Sequence, residues 1–131
     1  MYIVGGCENK YECIADIFYV DFEKFLVSED VSDLQWKELK VNKVELIRRW
    51  GHASAIKDNK AYIFGGRCGN KDLQNFVEID LVTGKCSEVK LKANSIKGRR
   101  KPGLCFRNNT MFCFSGFDGS YLKDFVYIDL T

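Results

Sequence analysis

Few side chains in this sequence are suited to catalysis or to metal binding. His52 is the single histidine among 131 residues, so a Ser–His–Asp or Cys–His site would have to use it. The sequence contains no Gly-x-Ser-x-Gly elbow, no phosphate-binding loop and no paired-carboxylate signature. We therefore expect no enzymatic activity, no metal and no cofactor.

Six cysteines raise the question of disulfides or zinc. There is no Cys-x-x-Cys pair, and Cys7–Cys13 and Cys105–Cys113 are spaced too widely for a zinc knuckle. Cys86, Cys105 and Cys113 fall within predicted strands, where a thiol behaves as a small buried hydrophobic group. We expect reduced, structural cysteines, with disulfides and metal binding as the alternatives.

A glycine pair that follows a short apolar strand recurs along the chain. The segment YIVGG at 2–6 returns as YIFGG at 62–66 and as FCFSG at 112–116. Each copy is followed by an apolar run that ends in an aspartate, at Asp21, Asp80 and Asp129. A repeat of about 50 residues with several short strands per unit is typical of a propeller blade.

These repeats predict an all-β fold, a partial β-propeller of four-stranded antiparallel blades. In the central repeat, the apolar segments predict strands at 52–56, 61–64, 76–81 and 86–91. The first blade is expected to lack its innermost strand and the last blade its outermost strand. We predict a single repeat region over 1–131, with blades at 1–47, 48–98 and 99–131, and an exposed polar loop at 28–33.

The pattern closely resembles the kelch repeat over essentially the whole chain. That motif contains Arg-x-x-His, an aromatic-led strand ending in Gly-Gly, and then Asp, Thr and Trp downstream. The central repeat matches it at Arg49, His52, Tyr62, Gly65, Gly66, Asp80 and Thr83, with Cys86 in place of the tryptophan. The other repeats match it at Gly5, Gly6, Asp21, Trp36, Gly116 and Asp129. The third repeat departs at Pro102, where His is expected, and at Ser115, where Gly is expected. The resemblance implies structural roles for the matching residues, including His52.

The resemblance also implies a protein–protein interaction module that recognises a substrate or a partner. One interpretation is that this recognition takes place within a larger assembly. In kelch adaptors that hold peptide degrons, arginines at the positions of Arg49, Arg67 and Arg99 often contact acidic groups of the partner. Arginine suits this task because its planar fork matches a carboxylate. The candidate contact residues are Arg49, Arg67, Arg99, Asn70, Phe117 and Asp118. The alternative is that these residues belong to charged loops that contact only solvent.

Several other function classes are disfavoured by composition. The net charge is +2, and the basic run at 97–101 has no aromatic stacking platform beside it, so we expect no nucleic acid partner. The sequence begins without a signal-peptide pattern and has no apolar stretch near ~20 residues, so we expect no membrane association. A cytoplasmic location, or a nuclear one, is the default expectation.

The partner and the blade count remain open at this point. We expect a protein or peptide partner, with acidic character as one option, and an oligomer or an additional chain could complete the propeller. The alternatives are a fragment of a kelch-fold enzyme or of a sugar-binding propeller, or a truncated gene product without independent function.

Overall fold

A computed structural model of the chain describes residues 1–9, 12–91 and 96–130, which are mainly β-strand and loop. In chain order the strands are β1 (Tyr2–Val4), β2 (Ile17–Tyr19), β3 (Lys37–Glu38), β4 (Ala53–Lys57), β5 (Lys60–Phe64), β6 (Arg67–Cys68), β7 (Lys71–Asp72), β8 (Phe76–Asp80), β9 (Cys86–Glu88), β10 (Gly103–Arg107), β11 (Thr110–Phe114) and β12 (Phe125–Asp129). Two short helices, α1 (Glu23–Ser28) and α2 (Val44–Ile47), and a 3-10 helix at Val31–Asp33 lie between strands. The predicted all-β class is confirmed.

The strands of the described residues form three antiparallel sheets that succeed one another along the chain. The central sheet has the order β4-β5-β8-β9, and the sheets before and after it have the orders β1-β2-β3 and β10-β11-β12. Strands β6 and β7 form a separate small hairpin that the sequence did not predict. The fourth central strand ends at Glu88, earlier than the predicted residue 91.

Strand β5 is buried on both faces because it lies between two neighbouring sheets. Ala61 and Ile63 belong to an apolar cluster shared with the first sheet. Tyr62 and Phe64 belong to a second cluster shared with the third sheet. A continuous apolar run without alternation is the pattern expected of a strand that is covered on both faces. The central sheet therefore joins the other two through its own side chains.

The segment between β2 and β3 includes residues 28–33, which were predicted as an exposed polar loop and are largely exposed, but the segment is not purely a loop. It contains α1 and the 3-10 helix, whose residues include no fully buried side chain. Asp30 begins the 3-10 helix and accepts a hydrogen bond of 2.9 Å from the Ser32 backbone N–H. Glu29 ends α1 in a left-handed conformation with φ of 55°.

The six cysteines are free thiols, and they differ in burial. Cys86 and Cys113 are buried, in agreement with the prediction for strand cysteines. The prediction is wrong for Cys105, which is exposed. Strand β10 alternates its side chains, and Leu104 and Phe106 pack on the central sheet while Cys105 lies on the opposite face.

Candidate functional site

Two pairs of loop residues are joined in the same way at one end of the sheets. Trp50, before β4, and Arg67, in β6, exchange backbone hydrogen bonds of 3.1 and 2.8 Å. Arg100, before β10, and Phe117, after β11, exchange two bonds of 2.9 Å. Each pair therefore ties the loop that enters the innermost strand to the loop that follows the glycines.

The glycine pairs are required because an arginine carbonyl of the following sheet approaches them closely. Gly6 donates its backbone N–H to the Arg49 carbonyl at 2.8 Å, and Gly66 donates to the Arg99 carbonyl at 2.7 Å. A Cβ atom at Gly5 would lie 2.7 Å from the Arg49 oxygen, and one at Gly65 would overlap the Arg99 oxygen. These glycines also have φ values of 60° and 69°, which disfavour other residues.

The side chains of Arg49 and Arg99, two of the predicted partner contacts, are almost completely buried in the structure. Arg49 donates from its guanidinium to the Gly65 carbonyl at 2.9 Å and to the Leu46 carbonyl at 2.7 Å. Burial lowers the pKa of Arg49 to about 10. Arg99 donates to the Ser115 carbonyl at 3.0 Å and pairs with Asp124. Both arginines hold loops of the chain itself.

Arg67, by contrast, is partly exposed and belongs to a charged group with Arg100. The Nη1 atom of Arg67 and the Nε atom of Arg100 each lie 3.4 Å from the same oxygen of Asp72. Two guanidinium groups share one carboxylate, so this group carries a net positive charge. Arg100 also lies over the Phe117 ring, with 4.9 Å between its Cζ atom and the ring centroid.

Beside this group lies an open cavity of about 270 Å³, which we call the loop-face pocket. Its lining consists of Trp50, Arg100, Lys101, Phe117 and Tyr121. The Phe117 and Tyr121 rings meet edge to face at 5.2 Å. Tyr121 is 84% exposed, so its ring is accessible from solvent beside the pocket.

The remaining candidates differ in their placement. Asn70 is exposed in the turn between β6 and β7. The Asp118 side chain is largely buried, pairs with Lys97 and accepts a hydrogen bond of 3.2 Å from the Ser120 backbone N–H. The Lys97 ammonium lowers the pKa of Asp118. Phe117 lines the loop-face pocket, whereas Asp118 mainly shapes its own loop.

The sequence analysis did not select Trp50, Arg100 or Tyr121. Trp50 and Arg100 stand next to the buried arginines that were chosen, one position further along the chain. Tyr121 directly follows the polar loop at 117–120. An aromatic residue at the end of a glycine-containing polar loop was the available signal, because loops carry function more often than strands do.

Several residues that were predicted to have structural roles contact glycines or backbone N–H groups of the chain itself. His52 packs between two glycines, near the position of a Cβ at Gly5 and at Gly66. Burial, reinforced by the nearby Arg49 charge, lowers the pKa of His52 to about 4.

Asp80 accepts backbone hydrogen bonds from Val82 at 2.9 Å and Thr83 at 2.8 Å. Burial raises the pKa of Tyr62 to about 12.

The structural candidates of the first and third repeats lie near a helix start, in a strand pair, in a loop and beside β3. Asp21 accepts a hydrogen bond of 3.0 Å from the backbone N–H of Glu23, the first residue of α1. Asp129 lies opposite Thr110 in the β11–β12 pair, and Gly116 has a positive φ of 114°. Trp36 is half exposed beside β3, so it is not a core residue of the described chain.

No cluster of three or more His, Cys, Asp or Glu side chains arranged to hold a metal occurs among the described residues. None of the helices in the same ranges is long and apolar enough to span a membrane.

These features define a kelch-type repeat protein with a loop-face pocket, and the comparison with known families agrees. Residues 1–131 match the family described as the KLHDC2/KLHL20/DRC7 Kelch-repeats domain. The match covers the whole chain, so the protein belongs to the kelch-repeat family. A search of curated proteins found no match to the chain. Kelch-repeat domains generally act as non-catalytic protein-interaction modules.

Proposed function

We propose that this chain recognises a peptide segment of a protein partner at the loop-face pocket and has no catalytic activity of its own. The observation that carries this proposal is the lining of the pocket, which combines three aromatic and two cationic side chains and no acidic one. Aromatic residues and arginine are the types enriched at the centres of protein interfaces.

The size of the pocket favours one anchoring side chain over a small-molecule ligand. Its volume of about 270 Å³ is at the small end of the ~300–1,000 Å³ that is usual for small-molecule sites. An aromatic or long apolar side chain could pack between the rings of Trp50 and Tyr121. The partner peptide should therefore provide an apolar anchor.

The charge of the pocket favours an acidic group beside that anchor. Arg100 carries five N–H donors, so its contact with Asp72 leaves donors for a partner carboxylate. Lys101 adds a second positive charge at the rim. Arg67 lies close by and shares the same aspartate, which extends the positive region toward the exposed Asn70.

Nucleic acid is a weaker candidate because two of the four cations in the basic run at 97–101 each pair with an aspartate of their own within the chain. Lys97 pairs with Asp118, and Arg99 pairs with Asp124. The Phe117 ring is already occupied by Arg100 on one face and by the edge contact with Tyr121. Arg100 and Lys101 would remain for a phosphate backbone, which is a small number of contacts for a nucleic acid.

A selection from a random peptide library displayed on phage would test the proposal. We expect the selected peptides to combine an aromatic or large apolar residue with Asp or Glu a few positions away. A synthetic peptide of the consensus sequence, labelled with fluorescein, would then be titrated against the wild-type chain and its variants. Arg100→Ala should weaken binding at least tenfold, since charge-assisted hydrogen bonds contribute ~1.5–3 kcal/mol.

Two further variants make the test specific. Arg100→Lys should recover little affinity because lysine lacks the planar fork. Arg107→Ala serves as the matched control, since Arg107 is exposed at the opposite end of β10. Selected peptides without acidic residues, or equal affinity for the wild-type chain and the Arg100→Ala variant, would contradict the proposal.

A further inference from the structure

The third sheet presents an uncovered aromatic face that repeats a covered face of the central sheet. In the central sheet, Phe64 pairs with Phe76 and both are at most 1% exposed, because the third sheet packs on them. In the third sheet, Phe114 pairs with Phe125 at the same register positions, and their exposures are 48% and 67%. We call the face of Phe112, Phe114, Phe125 and Tyr127 the leading face.

The first sheet presents the opposite kind of face, and it is also uncovered. In the central sheet, Ile63, Val77 and Cys86 pack toward the first sheet and are at most 1% exposed. The corresponding residues of the first sheet are Ile3, Phe18 and Trp36, which are 38–50% exposed. We call the face of these three residues the trailing face.

At both sheet–sheet interfaces inside the chain, a face equivalent to the leading face packs on a face equivalent to the trailing face. The first joins Val4 and Ile17 of the first sheet to Ile63 and Ile79 of the central sheet. The second repeats this arrangement between the central and third sheets, joining Phe64 and Phe76 to Met111 and Cys113. The surface that fits the leading face of this chain is therefore a trailing face.

Ser115 adds a requirement for whatever covers the leading face. It occupies the position of Gly65, where an arginine carbonyl of the following sheet leaves no room for a Cβ atom. Ser115 has a Cβ atom and still adopts the left-handed conformation, with φ of 60°. An occupant without such an arginine loop would avoid the clash. Within the described residues, the two arginine loops that make such an approach precede the central and the third sheet.

The total exposed surface is consistent with two uncovered faces. The chain exposes 8554 Å², whereas a folded monomer of 15.1 kDa is expected to expose roughly 7,100 Å². The excess of about 1,500 Å² lies within the ~1,200–2,000 Å² that specific protein interfaces bury.

We infer that two copies of this chain associate head to tail, with the leading face of each copy packed on the trailing face of the other. Two chains with three sheets each would form a ring of six, within the range of about four to eight blades that close a propeller. A heterologous contact of this kind forms a closed ring when its rotation permits closure.

Light scattering coupled to size-exclusion chromatography, over a concentration series up to about 200 µM, would test the inference. The wild-type chain should reach about 30 kDa, twice the 15.1 kDa of one copy. Phe125→Asp on the leading face and Trp36→Asp on the trailing face should each give a 15.1 kDa species. Val82→Asp is the matched control, because Val82 is exposed in the β8–β9 turn, outside both faces.

Mixing the two variants provides the decisive measurement. The Trp36→Asp copy retains an intact leading face and the Phe125→Asp copy an intact trailing face, so a 1:1 mixture should form an open dimer through one joint. Circular dichroism checks that each variant is folded, with Tyr127→Asp and Ile3→Asp as replacements if either is not. A wild-type monomer at the highest concentration, species larger than a dimer, or folded variants that do not associate when mixed would each overturn the inference.

Discussion

Arg99 and Asp124 form a two-point ion pair between the loop before β10 and the loop before β12. The Arg99 Nη1 and Nη2 atoms lie 2.5 and 2.7 Å from the two Asp124 carboxylate oxygens. Arg99 is buried, while the Asp124 side chain is about half exposed. The Asp124 partner raises the pKa of Arg99, whereas Arg49, which binds carbonyls at the preceding joint, has a lowered pKa. The aspartate therefore makes burial of the arginine easier in the third sheet.

Asp124→Asn should lower the free energy of unfolding by about 1–2 kcal/mol at neutral pH, allowing for the partial exposure of this pair. The hydrogen bonds to Arg99 lower the pKa of Asp124, so this contribution is present above the ordinary carboxyl pKa and is lost as the pH falls through the lowered value. Urea unfolding at constant protein concentration should show the stability difference between the two proteins shrinking as the pH falls below the ordinary carboxyl pKa. A stability difference that stayed constant with pH would contradict the charge-based account.

His52 should make the chain less stable in mild acid. Its pKa is about 4 in the folded chain and about 6.5 when unfolded, so the unfolded chain binds more protons between these values. Relative to His52→Gln, the wild-type chain should lose up to about 3 kcal/mol of unfolding free energy between pH 7 and pH 4. Parallel pH profiles for the two proteins would show that His52 is not buried in its neutral form.

The positions of the glycines and aspartates could be predicted from sequence because their requirement is local. A left-handed φ or a backbone hydrogen bond within three residues restricts the residue type at that position. Gly65 and Asp80 are recognisable for this reason. The same local constraint also explains why Ser115 stands out as an exception in the third repeat.

The burial of the arginines could not be predicted from the same pattern. Arg49 is enclosed because the Gly65 carbonyl, 16 residues away along the chain, faces it. Such a contact depends on how loops from different strands meet, which a short motif does not encode. Tyr121 was missed for a related reason, since loop residues lack the periodicity that identifies strand faces.

The first glycine of each pair should differ sharply from Ser115 in its tolerance to substitution. Gly65→Ala would place a Cβ atom on the Arg99 carbonyl at a φ of 69°, so we expect a loss of about 2–4 kcal/mol. Ser115→Gly relieves a left-handed conformation but loses the 3.3 Å hydrogen bond from Ser115 to the Leu122 carbonyl, so the net change should stay within about 1 kcal/mol. Thermal unfolding of both variants would measure the contrast, and a larger effect for Ser115→Gly would refute it.

The cysteines should separate into two classes on alkylation. Cys7 and Cys105 are exposed and should react quickly with iodoacetamide at pH 8. Cys113 should react only after unfolding, because it is buried and because burial raises its pKa to about 11. Mass spectrometry of digested protein would give the rate at each site. Fast labelling of Cys113 in the folded chain would contradict the packing of the third sheet on the central one.

Tyr121 and Tyr127 should separate peptide recognition from self-association. Both side chains are largely exposed, so replacing either by alanine should change the unfolding free energy of the single chain by no more than about 0.5 kcal/mol. Tyr121 lines the loop-face pocket, and Tyr121→Ala should weaken binding of the selected peptide by about 1–2 kcal/mol, roughly five- to thirtyfold.

Tyr127 lies on the leading face, so Tyr127→Ala should leave peptide affinity unchanged and should raise the concentration at which the chain forms a dimer. Fluorescence anisotropy with the labelled peptide reports the first effect, and light scattering reports the second. Loss of peptide binding in Tyr127→Ala alone would move the recognition site to the leading face. Loss of association in Tyr121→Ala alone would place the joint between copies at the loops.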